Sequence, residues 1–174
     1  EHCLKQLKLP TILREYAAVA AVCGRENQPF ETFLLQLCER ELIDRQQRAT
    51  ERRIKAAAFP TLKTIESFDF AAGPGINEGL IRELLVGEFI DRNENVLLIG
   101  NSGTGKTHLA VALGLAACQE GRSVRFFGVT ALVTQLLEAR EDRRLERMLK
   151  QLGRQDLLIL DELGYVPFTK AGAE

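Results

Sequence analysis

The chain has 174 residues, 45% of them hydrophobic and 27% charged, a composition typical of globular proteins and long enough for one or two domains. Lys plus Arg (23) nearly cancels Asp plus Glu (24), so the overall charge indicates no nucleic-acid or membrane partner, and a DNA site would have to be a local basic patch. No apolar run approaches the roughly 18 residues of a membrane span, and the first residues do not form a signal peptide, so we expect a cytoplasmic protein without membrane contacts.

Helical periodicity runs through the first 58 residues. Apolar residues at helical spacing predict one or two helices over residues 4–23, with a break near Pro10. A long helix is predicted from about Pro29 to Ala58, with Asn27 as a candidate N-cap. The expected buried stripe of this helix consists of Phe30, Phe33, Leu34 and Leu37.

The pattern changes after Phe59 and Pro60, which end the long helix. The stretch "SFDFAAGPG" has the extended and turn chemistry of a linker, and we predict an all-helical domain over residues 1–62. Beyond it, strands alternate with helices. The expected elements are helix 77–90, strand 96–99, helix 106–120, strand 124–127, helices 130–139 and 145–152, and strand 157–160. Strands that are apolar on both faces predict a parallel sheet covered on both sides, a three-layer α/β domain over residues 63–174.

Residues 100–107 read "GNSGTGKT" and match the phosphate-loop pattern G-x-x-x-x-G-K-[ST] between a predicted strand and a predicted helix. Gly103 and Gly105 allow the backbone N–H groups to wrap a polyphosphate. Lys106 is expected to contact the β- and γ-phosphates and Thr107 to ligate Mg²⁺, beside a helix N-terminus that also favours anions. The predicted nucleotide-binding residues are Gly100, Asn101, Ser102, Gly103, Thr104, Gly105, Lys106, Thr107 and His108. The alternative is a glycine-rich turn with a chance Lys-Thr pair.

An acidic pair follows the last predicted strand, in "LLILDE". Because ligands bind at the carboxyl ends of parallel strands, Asp161 is expected to hold Mg²⁺ through water, beside Thr107. Glu162 is placed to polarise a water for attack on the γ-phosphate, and Lys106 and Glu162 are the predicted catalytic residues. Glu162 favours an NTP hydrolase over a small-molecule kinase, which must exclude water and for which no acceptor site is evident. The plain alternative for the acidic pair is a helix N-cap.

The two motifs, "GNSGTGKTHLAVALG" and "LLILDELGYVPF", resemble those of the IstB family, the ATPase helpers of insertion-sequence transposases. That family is related to the DnaC and DnaI helicase loaders within the AAA+ superfamily. His108 and the "DELGY" stretch carry the specific part of the resemblance, and the helical N-terminal region and the "FDF" linker are similar too. The resemblance implies a P-loop NTPase fold of the AAA+ type, with ATP and Mg²⁺ as cofactors and ATP hydrolysis as the activity.

The resemblance also implies partners. ATP-bound subunits of the family form a homo-oligomer on double-stranded DNA, which the N-terminal domain helps to build, and the assembly recruits a transposase and stimulates transposition. The closest alternative is a replicative helicase loader, which has a helicase as its partner; a non-catalytic DNA-binding scaffold is a third. The chain lacks an initiator Met, so we expect a piece of a longer protein, with the sensor and the arginine finger beyond residue 174 and weak hydrolysis as a result.

Several weaker signals leave alternatives open. One basic cluster contains Arg40, Arg45, Arg48, Arg52, Arg53 and Lys55, and a second contains Arg140, Arg143, Arg144, Arg147, Lys150 and Arg154. The first is explained equally well by contact with DNA or a neighbouring subunit and by a self-paired solvated helix, whereas the second slightly favours DNA.

His108 is predicted to pack or hydrogen-bond rather than catalyse. Phe68 and Phe70 are expected either to contact the adenine or to pack between domains, and Tyr165 is a candidate relay to a partner. Widely spaced cysteines without a CxxC pair favour reduced thiols.

Overall fold

The computed structural model describes residues 1–71 and 75–163 and divides into two compact units, Glu1–Glu51 and Arg52–Glu174. The division falls inside the long third helix. The domain boundary predicted between residues 62 and 63 stays a prediction, because a division by compactness does not test where an independently folding domain ends.

Helices make up the first unit: α1 (His2–Gln6), α2 (Pro10–Arg25) and the part of α3 (Phe30–Ala57) that precedes the division. Pro10 is the first residue of α2, as the predicted break requires, because proline needs no N–H partner there. The core of the unit is formed by Val19, Cys23 and Leu37, with Ile12 and Phe33 packed against it.

The predicted stripe of α3 is partly wrong. Leu37 is buried and Phe33 half-buried, but Phe30 and Leu34 are 90% and 59% exposed. The buried face continues from Phe33 and Leu37 to Glu41, one residue in every four. Leu34 lies about 100° around the helix from Phe33 and therefore faces away, and Phe30 is the first residue of the helix.

Glu41 caps the N-terminus of α2 from within α3. The N-cap residue of α2, Leu9, has no side-chain acceptor. One carboxylate oxygen of Glu41, Oε2, accepts hydrogen bonds from the backbone N–H groups of Thr11 (2.8 Å) and Ile12 (3.1 Å). These are N–H groups that a helix leaves without an internal partner, so the carboxylate fixes α2 against α3.

The second unit combines helices with a small parallel sheet. In chain order it contains a 3-10 helix (Ile65–Ser67), α4 (Glu78–Leu85), α5 (Glu88–Asp91), α6 (Lys106–Gln119), β1 (Val124–Gly128), α7 (Val129–Glu141), α8 (Leu145–Leu152) and β2 (Leu157–Asp161). The two strands are parallel and in register from Val124 opposite Leu157 to Gly128 opposite Asp161. The predicted mixture of helices with a parallel sheet is confirmed.

Two predicted elements of this unit are wrong. Residues 96–99 are not a strand: in the described part of the chain the sheet has only β1 and β2, and Leu97 and Ile99 are 75% and 91% exposed. An apolar run becomes a strand only where a neighbouring strand pairs its backbone N–H and C=O groups, and neither β1 nor β2 does so here. The helix predicted over residues 77–90 is two helices, because Gly87 adopts a left-handed conformation (φ 85°) between α4 and α5.

The sheet is also covered less completely than predicted. In β2, Ile159 is buried, whereas its neighbours Leu158 and Leu160 are 40% and 47% exposed. Since successive side chains of a strand point to opposite faces, one face of β2 packs on the core and the other is open among the described residues. Coverage on both sides is therefore not present in the described part of the chain.

Helix α6 is the central element of the unit. It is buried on nearly all sides, and its residues Ala117 and Cys118 join Ala57, Val124 and Ile159 in the main core cluster. Burial raises the pKa of the Cys118 thiol, against the opposing effect of Arg53. The core thus surrounds most of α6, whereas Lys106, Thr107 and His108 at its N-terminus are not fully buried.

All four cysteines carry free thiols. Among the described residues no helix has both the length and the apolar character needed to cross a membrane.

Candidate nucleotide site

Residues 100–105 form a loop that leads directly into α6. Gly103 (φ 79°) and Gly105 (φ 85°) both lie in the left-handed region, which glycine adopts without strain. Gly105 is the N-cap of α6, so the unpaired N–H groups of the first helical turn border the loop. The hydroxyl of Thr104 donates to the carbonyl of Asn101 (2.9 Å) and closes the loop on itself.

The Lys106 ammonium lies over this loop. Its Nζ donates to the carbonyl oxygens of Gly100 (2.9 Å) and Asn101 (2.6 Å). The first turn of α6 therefore presents a positive charge beside the partial positive charge of a helix N-terminus. The arrangement favours an anion at the loop.

The end of β2 reaches the same first turn of α6. Thr107 Oγ1 donates to Asp161 Oδ2 (2.7 Å), although the two residues are 54 positions apart in the sequence. Both side chains offer oxygen atoms at an accessible edge, the donor type that Mg²⁺ prefers when it is held by one or two protein groups and by phosphate oxygens. The pair therefore fits the predicted metal position in its chemistry.

Glu162 follows Asp161 at the exposed end of β2. Its backbone N–H donates to Asp161 Oδ1 (3.0 Å), and its φ of 63° lies in the left-handed region, which is uncommon for a residue with a side chain. The carboxylate of Asp161 thus has one oxygen bound to Thr107 and the other to the Glu162 backbone. The side chain of Glu162 is exposed and follows the Asp161 carboxylate directly in the chain.

His108 faces the linker. Its Nε2 lies 2.8 Å from the carbonyl oxygen of Thr64 and 3.3 Å from the hydroxyl of Ser67. The ring of Phe68 packs edge-to-face against the imidazole, with the ring centroids 5.0 Å apart. His108 is a packing and hydrogen-bonding residue, as predicted, whereas contact of Phe68 or Phe70 with adenine stays a prediction.

Thr64 and Ser67 are contact residues that the sequence did not identify. Polar residues in a linker are common, and only the tertiary structure reveals that they meet the first turn of α6. Tyr165 lies outside the described residues. Among residues 1–71 and 75–163 no group of three or more His, Cys, Asp or Glu side chains could hold a metal ion.

Half of the first basic cluster, Arg40, Arg45 and Arg48, is paired with acids of the first unit. Arg45 and Arg48 form i,i+4 ion pairs with Glu41 and Asp44, at 3.5 Å each. Arg40 pairs with Glu15 at 3.0 Å. The hydrogen bond from the Thr11 hydroxyl, together with the positive charges of the nearby Arg48 and Arg14, holds the pKa of the Asp44 carboxyl below its usual value. For these three arginines the contacts favour the self-paired solvated helix.

The second basic cluster surrounds an open depression beside α8, lined by Arg143, Glu146, Arg147, Lys150, Gln151 and Arg154. Arg144 instead pairs with Asp142. Within the part of the chain that the structure describes, no ion pair joins Arg143, Arg147, Lys150 or Arg154 to an acid. Four positive charges against one acid, Glu146, make this depression strongly basic.

Comparison with known proteins places these features in a context. The family model of the IstB-like ATP binding protein matches residues 2–174. The chain is 39% identical over 173 residues to the "Insertion sequence IS21 putative ATP-binding protein" of Pseudomonas aeruginosa, a match that covers 99% of this chain and 65% of that protein. It is also 39% identical over 166 residues to the "Insertion sequence IS5376 putative ATP-binding protein" of Geobacillus stearothermophilus, with 95% and 66% of the two chains covered.

A third relative, from Sinorhizobium fredii, is named "Putative insertion sequence ATP-binding protein y4iQ/y4nD/y4sD" and is 40% identical over 172 residues. That match covers 98% of this chain and 57% of the relative. The chain therefore spans somewhat less than two thirds of the length of these three relatives.

Proposed function

Because this chain belongs to the family of IstB-like ATP-binding proteins, we propose that its loop at residues 100–107 binds ATP together with Mg²⁺. One observation carries the proposal: the phosphate loop opens a buried helix whose Thr107 hydroxyl meets the Asp161 carboxylate from the end of a parallel strand. A glycine-rich turn of purely structural use has no need of that carboxylate or of an ammonium group lying over the loop.

We propose the following roles for the side chains of the site. Lys106 exchanges its contacts with the loop carbonyls for contacts with the β- and γ-phosphate oxygens, and Thr107 and Asp161 hold Mg²⁺. The bound ion supplies charge neutralisation on the phosphate oxygens. Glu162 orients and polarises the attacking water, for which its exposed position at the end of β2 leaves room. The remaining nucleotide contacts come from the backbone of residues 100–105 and from the first turn of α6.

The proposed biological role is that of a helper ATPase of an insertion-sequence transposase. The relatives named for insertion sequences support this assignment over the replicative helicase loader, which shares the fold and the motifs. In this proposal ATP-bound subunits assemble on double-stranded DNA and stimulate the transposase, and hydrolysis releases them. We also propose a cytoplasmic location, a three-layer AAA+ fold for residues 63–174, and a helical domain over residues 1–62 that makes oligomer, DNA or partner contacts.

For the proposed DNA contact, the charges favour the depression beside α8 over Arg40, Arg45 and Arg48 of the α3 cluster. A cation that is already paired with a carboxylate gains less from a phosphate, because the existing pair must be broken. Arg40, Arg45 and Arg48 are paired in this way, whereas Arg147 and Lys150 line an open surface without a described ion pair.

ATP binding is tested with a fluorescent ATP analogue, with and without Mg²⁺, on the wild-type chain and on Lys106→Ala. The proposal predicts Mg²⁺-dependent binding that Lys106→Ala weakens by at least about tenfold, since a charge-assisted contact to phosphate contributes about 1.5–3 kcal/mol. Lys5→Ala, which removes a lysine of α1, is the matched control and should bind like the wild type. Equal affinity of both variants would contradict the assignment of the loop.

Glu162→Gln distinguishes the proposed helper ATPase, whose hydrolysis of ATP releases the assembly, from a non-catalytic scaffold and from a small-molecule kinase. If the chain is such an ATPase, the variant binds ATP but turns it over more slowly, so ATP-dependent assemblies on duplex DNA should persist longer in sedimentation. A scaffold would show no difference from Glu138→Gln, the matched control on α7, and a small-molecule kinase would not assemble on DNA with ATP. A pull-down with transposase and with replicative helicase as competing baits then separates the two partner hypotheses.

The DNA surface is tested by charge reversal at matched sites. Arg147→Glu with Lys150→Glu should weaken binding to a 30-base-pair duplex. The negative slope of log K against log salt should become shallower by about 1.8, which is 0.9 for each phosphate that the variant no longer neutralises. Arg82→Glu with Arg92→Glu, which changes the net charge equally at two arginines already paired with glutamates, is the control. Equally weakened binding in the two double variants would indicate a general charge effect and would exclude this surface.

A further inference from the structure

The linker that precedes the phosphate loop is attached to the first turn of α6. The imidazole Nε2 of His108 lies 2.8 Å from the carbonyl oxygen of Thr64. A carbonyl only accepts hydrogen bonds, so Nε2 must carry the proton and donate it. The Ser67 hydroxyl donates to the same carbonyl (2.8 Å) and lies 3.3 Å from Nε2. The Thr64 carbonyl therefore accepts hydrogen bonds both from the linker itself and from the first turn of α6.

Aromatic contacts join the same two segments. Phe68 packs edge-to-face against His108 and also against Phe70, whose ring centroid is 4.9 Å away. The Phe68 ring also covers the backbone of Gly105: a Cβ built there would lie 2.6 Å from Cε2 of the ring, closer than two carbon atoms approach. Gly105 thus serves two purposes, since its φ of 85° opens the helix and its lack of a side chain admits the phenyl ring.

We infer that Thr64, Ser67, Phe68 and His108 form a clip that holds the linker on the phosphate loop, and that His108 is a positioning residue for nucleotide binding. This inference rests on the proposed ATP binding. The clip contacts the loop at Gly105 and the helix at His108, the residues on either side of Lys106 and Thr107. Holding both flanks reduces the number of conformations that those two side chains and their N–H groups must lose when phosphate binds.

The clip also couples the linker to the nucleotide state. If an ordered linker favours nucleotide binding, bound nucleotide must favour the ordered linker by the same free energy. Segment 64–70 should therefore be more protected from hydrogen exchange when the loop holds nucleotide. His108 transmits this effect because it is the one residue of the clip that belongs to the helix following the phosphate loop.

The test compares His108→Ala, His108→Gln and His108→Phe with His2→Ala, a control at the other histidine of the chain. We expect His108→Ala to lower the affinity for a fluorescent ATP analogue by about 3- to 10-fold, the effect of removing one hydrogen bond of ordinary strength. It should also abolish the nucleotide-dependent protection of segment 64–70. His108→Gln keeps an N–H donor that can reach the Thr64 carbonyl and should restore most of both effects. His108→Phe keeps the ring contact alone and should restore less.

The possible results separate the clip from the nucleotide proposal. If the wild-type chain binds no ATP analogue, the proposed function fails and the clip fails with it. If the wild type binds but His108→Ala leaves the protection of segment 64–70 unchanged, the clip is wrong and ATP binding stands. A purely structural role for His108 would lower the thermal midpoint in all three variants without a difference between Gln and Phe in nucleotide-dependent protection, and this result too would overturn the clip. Should His108→Ala fail to fold, the comparison of Gln with Phe decides the question.

Discussion

Glu41 should contribute more to stability than its place on a charged helix indicates. Glu41→Ala removes the acceptor for the N–H groups of Thr11, which is 2% exposed, and of Ile12, which is half-buried. Loss of a helix cap costs about 1 kcal/mol, and a buried N–H left without an acceptor costs about 1–3 kcal/mol. We therefore expect Glu41→Ala to lower the free energy of unfolding by about 2–4 kcal/mol.

The isosteric variant sharpens the prediction. Both N–H groups bond to the same carboxylate oxygen, Oε2, so the amide oxygen of Glu41→Gln can accept both bonds. That variant loses the charge and places its NH₂ group toward Arg45 and Arg48, and it should cost about 1 kcal/mol. Glu39→Ala, at an exposed position two residues earlier on α3, should cost less than about 0.5 kcal/mol.

The assay is urea unfolding followed by circular dichroism, together with hydrogen exchange of the Thr11 and Ile12 amides by NMR. The amides should exchange faster in Glu41→Ala and remain protected in Glu41→Gln. If Glu41→Ala costs no more than Glu39→Ala, or if the two amides stay protected without the carboxylate, the cap is not an energetic contact and the reasoning fails.

Three further predictions concern the second unit. Gly114→Ala should destabilise the chain by about 1–3 kcal/mol in thermal unfolding, because a Cβ there would lie 2.7 Å from Cδ1 of Ile159. An unchanged thermal midpoint would mean that the neighbouring side chains move aside without cost, and it would contradict the prediction. Hydrogen bonds from the backbone and side chain of Ser123 hold the pKa of Asp156 below its usual 3.8, so its contribution to stability should be complete above that value and be lost as the pH falls through the lowered pKa. The stability difference between wild type and Asp156→Asn, measured by urea unfolding at several pH values, should accordingly shrink in acid, and a difference that grows there would contradict this sign. Thr107→Val removes the hydroxyl that meets the carboxylate at the end of β2, and it should weaken binding of the ATP analogue with Mg²⁺ more than binding without it, whereas equal weakening would exclude a metal role.

Local chemistry allowed much of this protein to be predicted from its sequence. The start of α6 at Lys106 and the full extent of α8 follow from glycine placement and apolar periodicity, which act over a few residues. The parallel pairing of the strands and the proximity of Thr107 to Asp161 were also predicted, because a phosphate loop and an acidic pair at strand ends must meet at one edge of a parallel sheet.

Contacts between distant residues decided the rest. The apolar run at 96–99 reads as a strand but has no strand to pair with among the described residues, and backbone pairing is not a local property. By its spacing Glu41 belongs to a charged helix face, yet in the structure it is buried and caps α2 by accepting a hydrogen bond from the backbone N–H of Thr11, 30 positions away. His108 follows the phosphate-loop threonine, and only the folded linker shows that its imidazole bonds to Thr64. A side chain's own identity determines which bonds it can make, whereas the partner that actually reaches it is set by the packing of the whole unit.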